Sequence, residues 1–101
     1  MALIELSVNP LGTGTSSVSQ YVAQAVGVLQ KEKNIKYELT PMGTILEGDL
    51  TQLLTLVKKM HEAVFDAGVM RVVTIIKIDD RRDKTSSMNS KMESLRRRLE
   101  H

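Results

Sequence analysis

A chain of 101 residues suffices for one domain with a single core, and 42% hydrophobic with 26% charged residues excludes a disordered polymer. Zero cysteines exclude disulfides, thiolate metal sites and cysteine nucleophiles. The net charge of +2 is weak, its basic part lies in the last quarter, and no apolar run approaches a membrane span, so a cytoplasmic protein is expected.

In chain order, Ala2, Ile4, Leu6 and Val8 alternate with Leu3, Glu5, Ser7 and Asn9, which predicts a strand with one apolar side. Pro10-Leu11-Gly12-Thr13-Gly14-Thr15 is read as its break. Ser17 and Gln20 have capping-box spacing, and Val18, Val22, Ala25, Val26 and Leu29 form the stripe of a helix ending near Lys31 to Asn34. Tyr37 to Asp49 reads as two short strands folded back at Pro41-Met42-Gly43, because Pro presets φ and Gly supplies turn freedom. Asp49, three residues before Gln52, caps a second helix. Its stripe is Leu50, Leu53, Leu54, Val57, Met60, His61, Val64 and Phe65, and Gly68 marks its end. Met70 to Asp79 is a β-branched strand with Val72, Thr74, Ile76 and Ile78 on one side. Ser86 or Ser87 opens a last helix with a narrow stripe of Met88, Met92, Leu95 and Leu99.

The order is β-α-β-β-α-β plus a C-terminal helix, the pattern of an α+β, ferredoxin-like sandwich. One domain is expected over residues 1–98, with 99–101 a tag remnant. Two helices would cover one sheet face. The other would carry Leu3, Val73 and Ile75 among polar groups, a surface suited to a partner copy.

The candidate chemistry is sparse. Gly12 to Ser17 joins a strand to a helix start, where N–H groups and hydroxyls hold anions or polar edges, but it lacks a dinucleotide or P-loop pattern. His61 and Glu62 are sequence neighbours pointing apart on a helix, so they make no acid–base dyad, and no ligand-spaced histidine supports a metal. Asp79 to Lys84 reads as charges pairing locally at a strand exit, or as a subunit boundary closing a pocket with Lys77, Asp79 or Arg82. Arg96 to Arg98, with Glu93, fits a charged helix face and its dipole better than a nucleic-acid patch. An RNA-recognition domain shares the element order but needs exposed aromatics on its strands, and the chain's aromatics are Tyr21, Tyr37 and Phe65 alone. Acylphosphatase shares the fold and needs an Arg in the first loop, which is Gly12-Thr13-Gly14-Thr15 here.

Leu6-Ser7-Val8-Asn9-Pro10-Leu11-Gly12-Thr13, Pro41-Met42-Gly43-Thr44 with Glu47-Gly48, His61-Glu62, and Arg71-Val72 through Lys77-Ile78-Asp79-Asp80-Arg81 occur in that order over nearly the whole chain. In this combination the chain resembles the small thiamine-binding protein family, grouped with the YkoF-like thiamine and hydroxymethylpyrimidine binders. The resemblance implies dimers and tetramers (a dimer of dimers), a pocket at or near subunit contacts, thiamine or its hydroxymethylpyrimidine half as ligand, and no catalysis. No cofactor, nucleic-acid or membrane partner is expected. Thiamine recognition asks for a carboxylate near the cation or ring nitrogens, a few hydroxyls, and flat apolar walls. Glu47, Thr44, Thr13, Ser16 and Ser17 are the first candidates, then His61, Arg71 and Lys77, with Met42, Leu11 and Ile45 as soft walls. A regulatory protein signalling through its C-terminal helix and an enzyme acting on a thiamine precursor are the competing expectations.

Overall fold

The computed structural model describes residues 1–13, 19–83 and 88–99. Its elements are β1 (Ala2–Leu11), α1 (Ser19–Leu29), β2 (Lys36–Thr40), β3 (Gly43–Gly48), α2 (Leu50–Phe65), β4 (Arg71–Asp80) and α3 (Met88–Leu99). The strands form one antiparallel sheet in the order β2-β3-β1-β4. This is the expected α+β, ferredoxin-like arrangement with an added C-terminal helix.

The sheet has one covered face. Ala2, Ile4 and Leu6 of β1 and Leu46 of β3 meet Leu53, Leu56, Val57, Met60 and Val64 of α2 and Tyr21, Ala25 and Leu29 of α1. Each fully buried aliphatic side chain stabilises the fold by about 1.5–3 kcal/mol, which outweighs any of the surface ion pairs. Asp49 caps α2 as expected: its side chain accepts the Gln52 N–H at 3.2 Å. Gly68 stands just past the end of α2 with φ +95°, a backbone region that other residues enter only at a cost.

The structure corrects three boundaries. β1 does not break at Pro10 but pairs with β4 as far as Leu11↔Arg71. Its pairing with β3 stops at Leu6↔Thr44, so the end of β1 is a sheet edge, where a residue without an N–H is tolerated. α1 ends at Leu29, before the Lys31 to Asn34 limit, because the Lys31 and Glu32 N–H groups bond to Val28 and Leu29 carbonyls in a tighter turn. β4 runs from Arg71 to Asp80 instead of from Met70 to Asp79.

The helix stripes also shift. α1 buries Tyr21 with Ala25 and Leu29, whereas Val22 is 45% exposed and Val26 half-buried. α2 buries Leu56, which the expected stripe omitted, and leaves Leu54 and Phe65 exposed. α2 lies against α1 as well as the sheet, and a second neighbour widens the arc a helix can bury. The expected caps Ser17, Ser86 and Ser87 lie outside the described residues.

The opposite sheet face is open. Antiparallel register places Lys36, Glu47, Leu3 and Asp79 in one row across it, then Glu38, Ile45, Glu5 and Lys77, then Ser7 and Ile75. Ile75 is 61% exposed and Val73 is also exposed. α3 packs on no other element to the extent that α1 and α2 do, and exposes Met92, Leu95 and Leu99. Lys91 of α3 pairs with Asp79 near the end of β4.

Candidate functional site

The short β2–β3 hairpin creates the site. Thr40 ties its turn: the hydroxyl donates to the Gly43 carbonyl at 2.8 Å and accepts the Gly43 N–H at 3.1 Å and the Met42 N–H at 3.2 Å. Gly43 then approaches β1 so closely that a Cβ there would stand 2.6 Å from the Leu6 carbonyl oxygen. Past this point β1 has β4 as a neighbour but no longer β3.

A cavity of about 420 Å³ occupies the resulting gap, on the helix-covered side of the sheet. Leu6, Val8, Thr44 and Met60 contribute from the core side, and Val22, Ala25 and Val26 from α1. Leu39, Thr40, Pro41, Met42 and Gly43 close it from the hairpin, and Ser7 and Asn9 from β1. Its volume falls in the roughly 300–1,000 Å³ range of small-molecule pockets. The walls are mainly aliphatic and thioether groups, with the Thr44 hydroxyl to orient a ligand. The Ser7 and Asn9 side chains alternate to the open face, where Asn9 Nδ2 donates to Ser7 Oγ at 3.1 Å and to the Val73 carbonyl at 3.2 Å. Main-chain groups point alternately to the two sides of a strand, so those of Val8 face the same way as the Leu6 carbonyl. They lie beyond the last β1–β3 pair and offer an N–H and a C=O at the cavity edge.

The expected site residues fall into separate groups. Met42 and Thr44 line the cavity. Thr13 is half-buried just beyond β1, and Ser16 and Ser17 lie outside the described residues. Glu47 is on the other face of the sheet, beside Ile45 in the alternation, as the sequence pattern indicates. It is only 5% exposed and pairs with Lys36 Nζ at 3.9 Å. Arg71 and Lys77 are exposed on that same open face, opposite Leu11 and Glu5 respectively. Leu11 and Ile45, read as soft walls, therefore also face away from the cavity.

His61 stands apart from both groups. Its Nδ1 shares a 2.6 Å hydrogen bond with Thr74 Oγ1, and its ring meets Phe65 edge-on at 5.3 Å. The contact fastens α2 to β4 on the covered side.

The charges after β4 pair locally. Arg81 bonds Asp83 at 2.7 Å and Arg82 bonds Asp80 at 3.0 Å. The Arg81 guanidinium is raised above its ordinary pKa, chiefly by its hydrogen bond to Asp83. Among the described residues no three His, Asp or Glu side chains gather to hold a metal, and no helix is long and apolar enough to cross a membrane.

Sequence reasoning missed most of the lining. Val22 and Val26 look like core positions on periodicity alone, and Leu39 looks like an ordinary alternating strand residue. The available signal was strand length: the turn at Pro41 leaves β3 too short to match a β1 extended through Pro10.

Known proteins share this fold and much of this sequence. YqgV of Bacillus subtilis is 47% identical over 99% of both chains. A relative from Methanothermobacter thermautotrophicus is 49% identical over 98% of this chain and all of its own. A solved structure of a Methanocaldococcus jannaschii protein superposes with a TM-score of 0.85 at 41% identity, covering 93% of this chain and 94% of that one. A Thermotoga maritima candidate for thiamine biosynthesis or salvage shares the fold at 18% identity, with a TM-score of 0.76 over 93% of this chain and 97% of its own. The model of the thiamine-binding protein family matches residues 4–96, and this chain belongs to that family.

Proposed function

We propose that the protein binds thiamine or its hydroxymethylpyrimidine half in the cavity between α1, β1 and the β2–β3 turn. The observation that carries this reading is the cavity itself, with its size, soft walls and few fixed polar groups, in a chain of the thiamine-binding family. Met42 and Met60 supply polarisable surface to a flat heterocycle. Thr44 and the Val8 main chain supply hydrogen bonds to its edge. These are groups for holding a molecule, and we read the protein as a binder and not an enzyme.

The same proposal includes a homo-oligomer, assembled as a dimer of dimers in the cytoplasm. The exposed Val73 and Ile75 on the open face and the uncovered stripe of α3 support assembly. Glu47, Arg71 and Lys77 belong to that open face, so in this reading their contact with ligand runs through a neighbouring subunit. A regulatory protein whose ligand state is read by a partner at α3 is the second reading, favoured by that exposed stripe.

Calorimetry and thermal shift with thiamine and hydroxymethylpyrimidine test the proposal. A ligand present at 100 times its Kd stabilises the native state by about 2.7 kcal/mol, and the melting midpoint rises accordingly. If neither compound binds or raises the midpoint, the ligand reading is wrong.

A further inference from the structure

We infer that the outer edge of β4 is a self-complementary interface, on which a second copy of this chain adds its own β4 in antiparallel register and joins two four-stranded sheets into one. The inference specifies the assembly proposed above and is independent of the ligand. β2 and β4 end the sheet on its two sides, and these edges are built differently. β2 has five residues, with Lys36 and Glu38 exposed and Pro41 just beyond, features that discourage strand addition. β4 has ten residues and no proline. Its Ile76 and Ile78 share rows with the fully buried Leu6 and Ile4 on the helix-covered side, yet they are 41% and 46% exposed. Leu54 and Phe65, on the stripe of α2 whose His61 meets Thr74, are exposed too. Together they leave an apolar rim along an undefended edge.

The backbone fixes which residues can pair. The Leu6 carbonyl points to Gly43 of β3, so Leu6 and Ile76 form a pair without mutual hydrogen bonds, and the Ile76 N–H and C=O point to the free edge. By alternation the main-chain groups of Val72, Thr74 and Ile78 do the same. An antiparallel ladder joins outward-pointing residues to outward-pointing residues, which keeps the helices of both copies on one side and centres the symmetry axis on a residue. With the axis at Ile75, Arg71 lies opposite Asp79 of the second copy and Ile75 opposite its own counterpart, while Val72 takes Ile78 and Thr74 takes Ile76. Opposite charges then close both ends of the ladder around an apolar centre. An axis at Thr74 instead sets Arg71 against Lys77, and one at Ile76 sets Ile75 against Lys77 and Val73 against Asp79. Asp79 also holds Lys91 of its own chain, and a carboxylate has acceptor sites for both.

The chain has no cysteine, so a single introduced one reports the register. A residue on the axis faces its counterpart in a pair without mutual hydrogen bonds, where the Cα atoms stand about 4.5 Å apart, within disulfide reach. Ile75→Cys, at an exposed position, is expected to give a covalent dimer on mild oxidation, read by non-reducing electrophoresis. Val73→Cys, whose copies stand roughly 13 Å apart in this register, is expected to give none. In the unaltered chain, sedimentation equilibrium gives the mass and amide exchange reads the edge. The Thr74, Ile76 and Ile78 N–H groups are expected to be protected by at least about tenfold in the oligomer. An oligomer in which these groups exchange freely overturns the inference and leaves assembly standing. A link at Val73, or none at Ile75, overturns the assigned register. A monomer at every concentration overturns the assembly reading itself.

Discussion

At the scale of single residues, Gly43 does more than turn the chain. A methyl group added there would stand 2.6 Å from the Leu6 carbonyl oxygen, which leaves no room for any side chain. Gly43→Ala is therefore expected to push the hairpin off β1, lowering stability by about 1–3 kcal/mol in urea unfolding and weakening ligand binding at the same time. Glu47 shows the complementary lesson. Alternation around the turn correctly puts it beside Ile45 and opposite Thr44, but alternation says nothing about which face holds the cavity. The lining positions readable from sequence were those next to the turn, Thr44 and Met42. Val22, Leu39 and Met60 were not, because what sets them in the lining is a gap between distant segments.

Secondary elements were more legible because their signals are local and repeated. Asp49 and Gln52 announce the start of α2, and the Asp49 carboxylate accepts the Gln52 N–H as that spacing requires. Asp49→Ala removes the cap and is expected to cost about 1 kcal/mol, visible as a lower urea midpoint with an unchanged slope. The helix faces were less legible. A periodic pattern marks an apolar side to within about one residue, but the neighbours decide which side chains are covered. α2 rests on both α1 and the sheet and buries Leu56, whereas Val22 of α1 overhangs the place where β3 has ended. The extension of β1 through Pro10 was hidden for a similar reason. A proline is excluded from a central strand and allowed on an edge, and only the pairing map shows that this end of β1 is an edge.

For the whole molecule, the order of elements carried the fold, and the uneven cover of the sheet carries the case for assembly. One face supports two helices, while the other mixes Ile75, Val73 and Leu3 with charges of both signs. Glu5 opposite Lys77 is a favourable cross-strand pair, so the open face can meet another surface without collecting charge of one sign. Ile75→Lys adds a cation on the edge strand β4 of this face without touching the covered core. In the proposed oligomer it is expected to lower the mass seen by sedimentation equilibrium while leaving the circular dichroism spectrum intact. An unchanged mass would remove the open face from the assembly.

The early end of the β2–β3 hairpin has a consequence for how this fold can vary. The cavity is the missing length of two strands, so its depth is governed by where the turn at Pro41-Met42 falls and not by carving the core. A hairpin longer by a residue pair would continue the ladder along Val8 and fill the space. A shorter one would enlarge it, with Ile4, Leu46 and Leu53 still packed beneath. Ligand size can thus change by insertion or deletion at one exposed turn, at little expense to the rest of the domain.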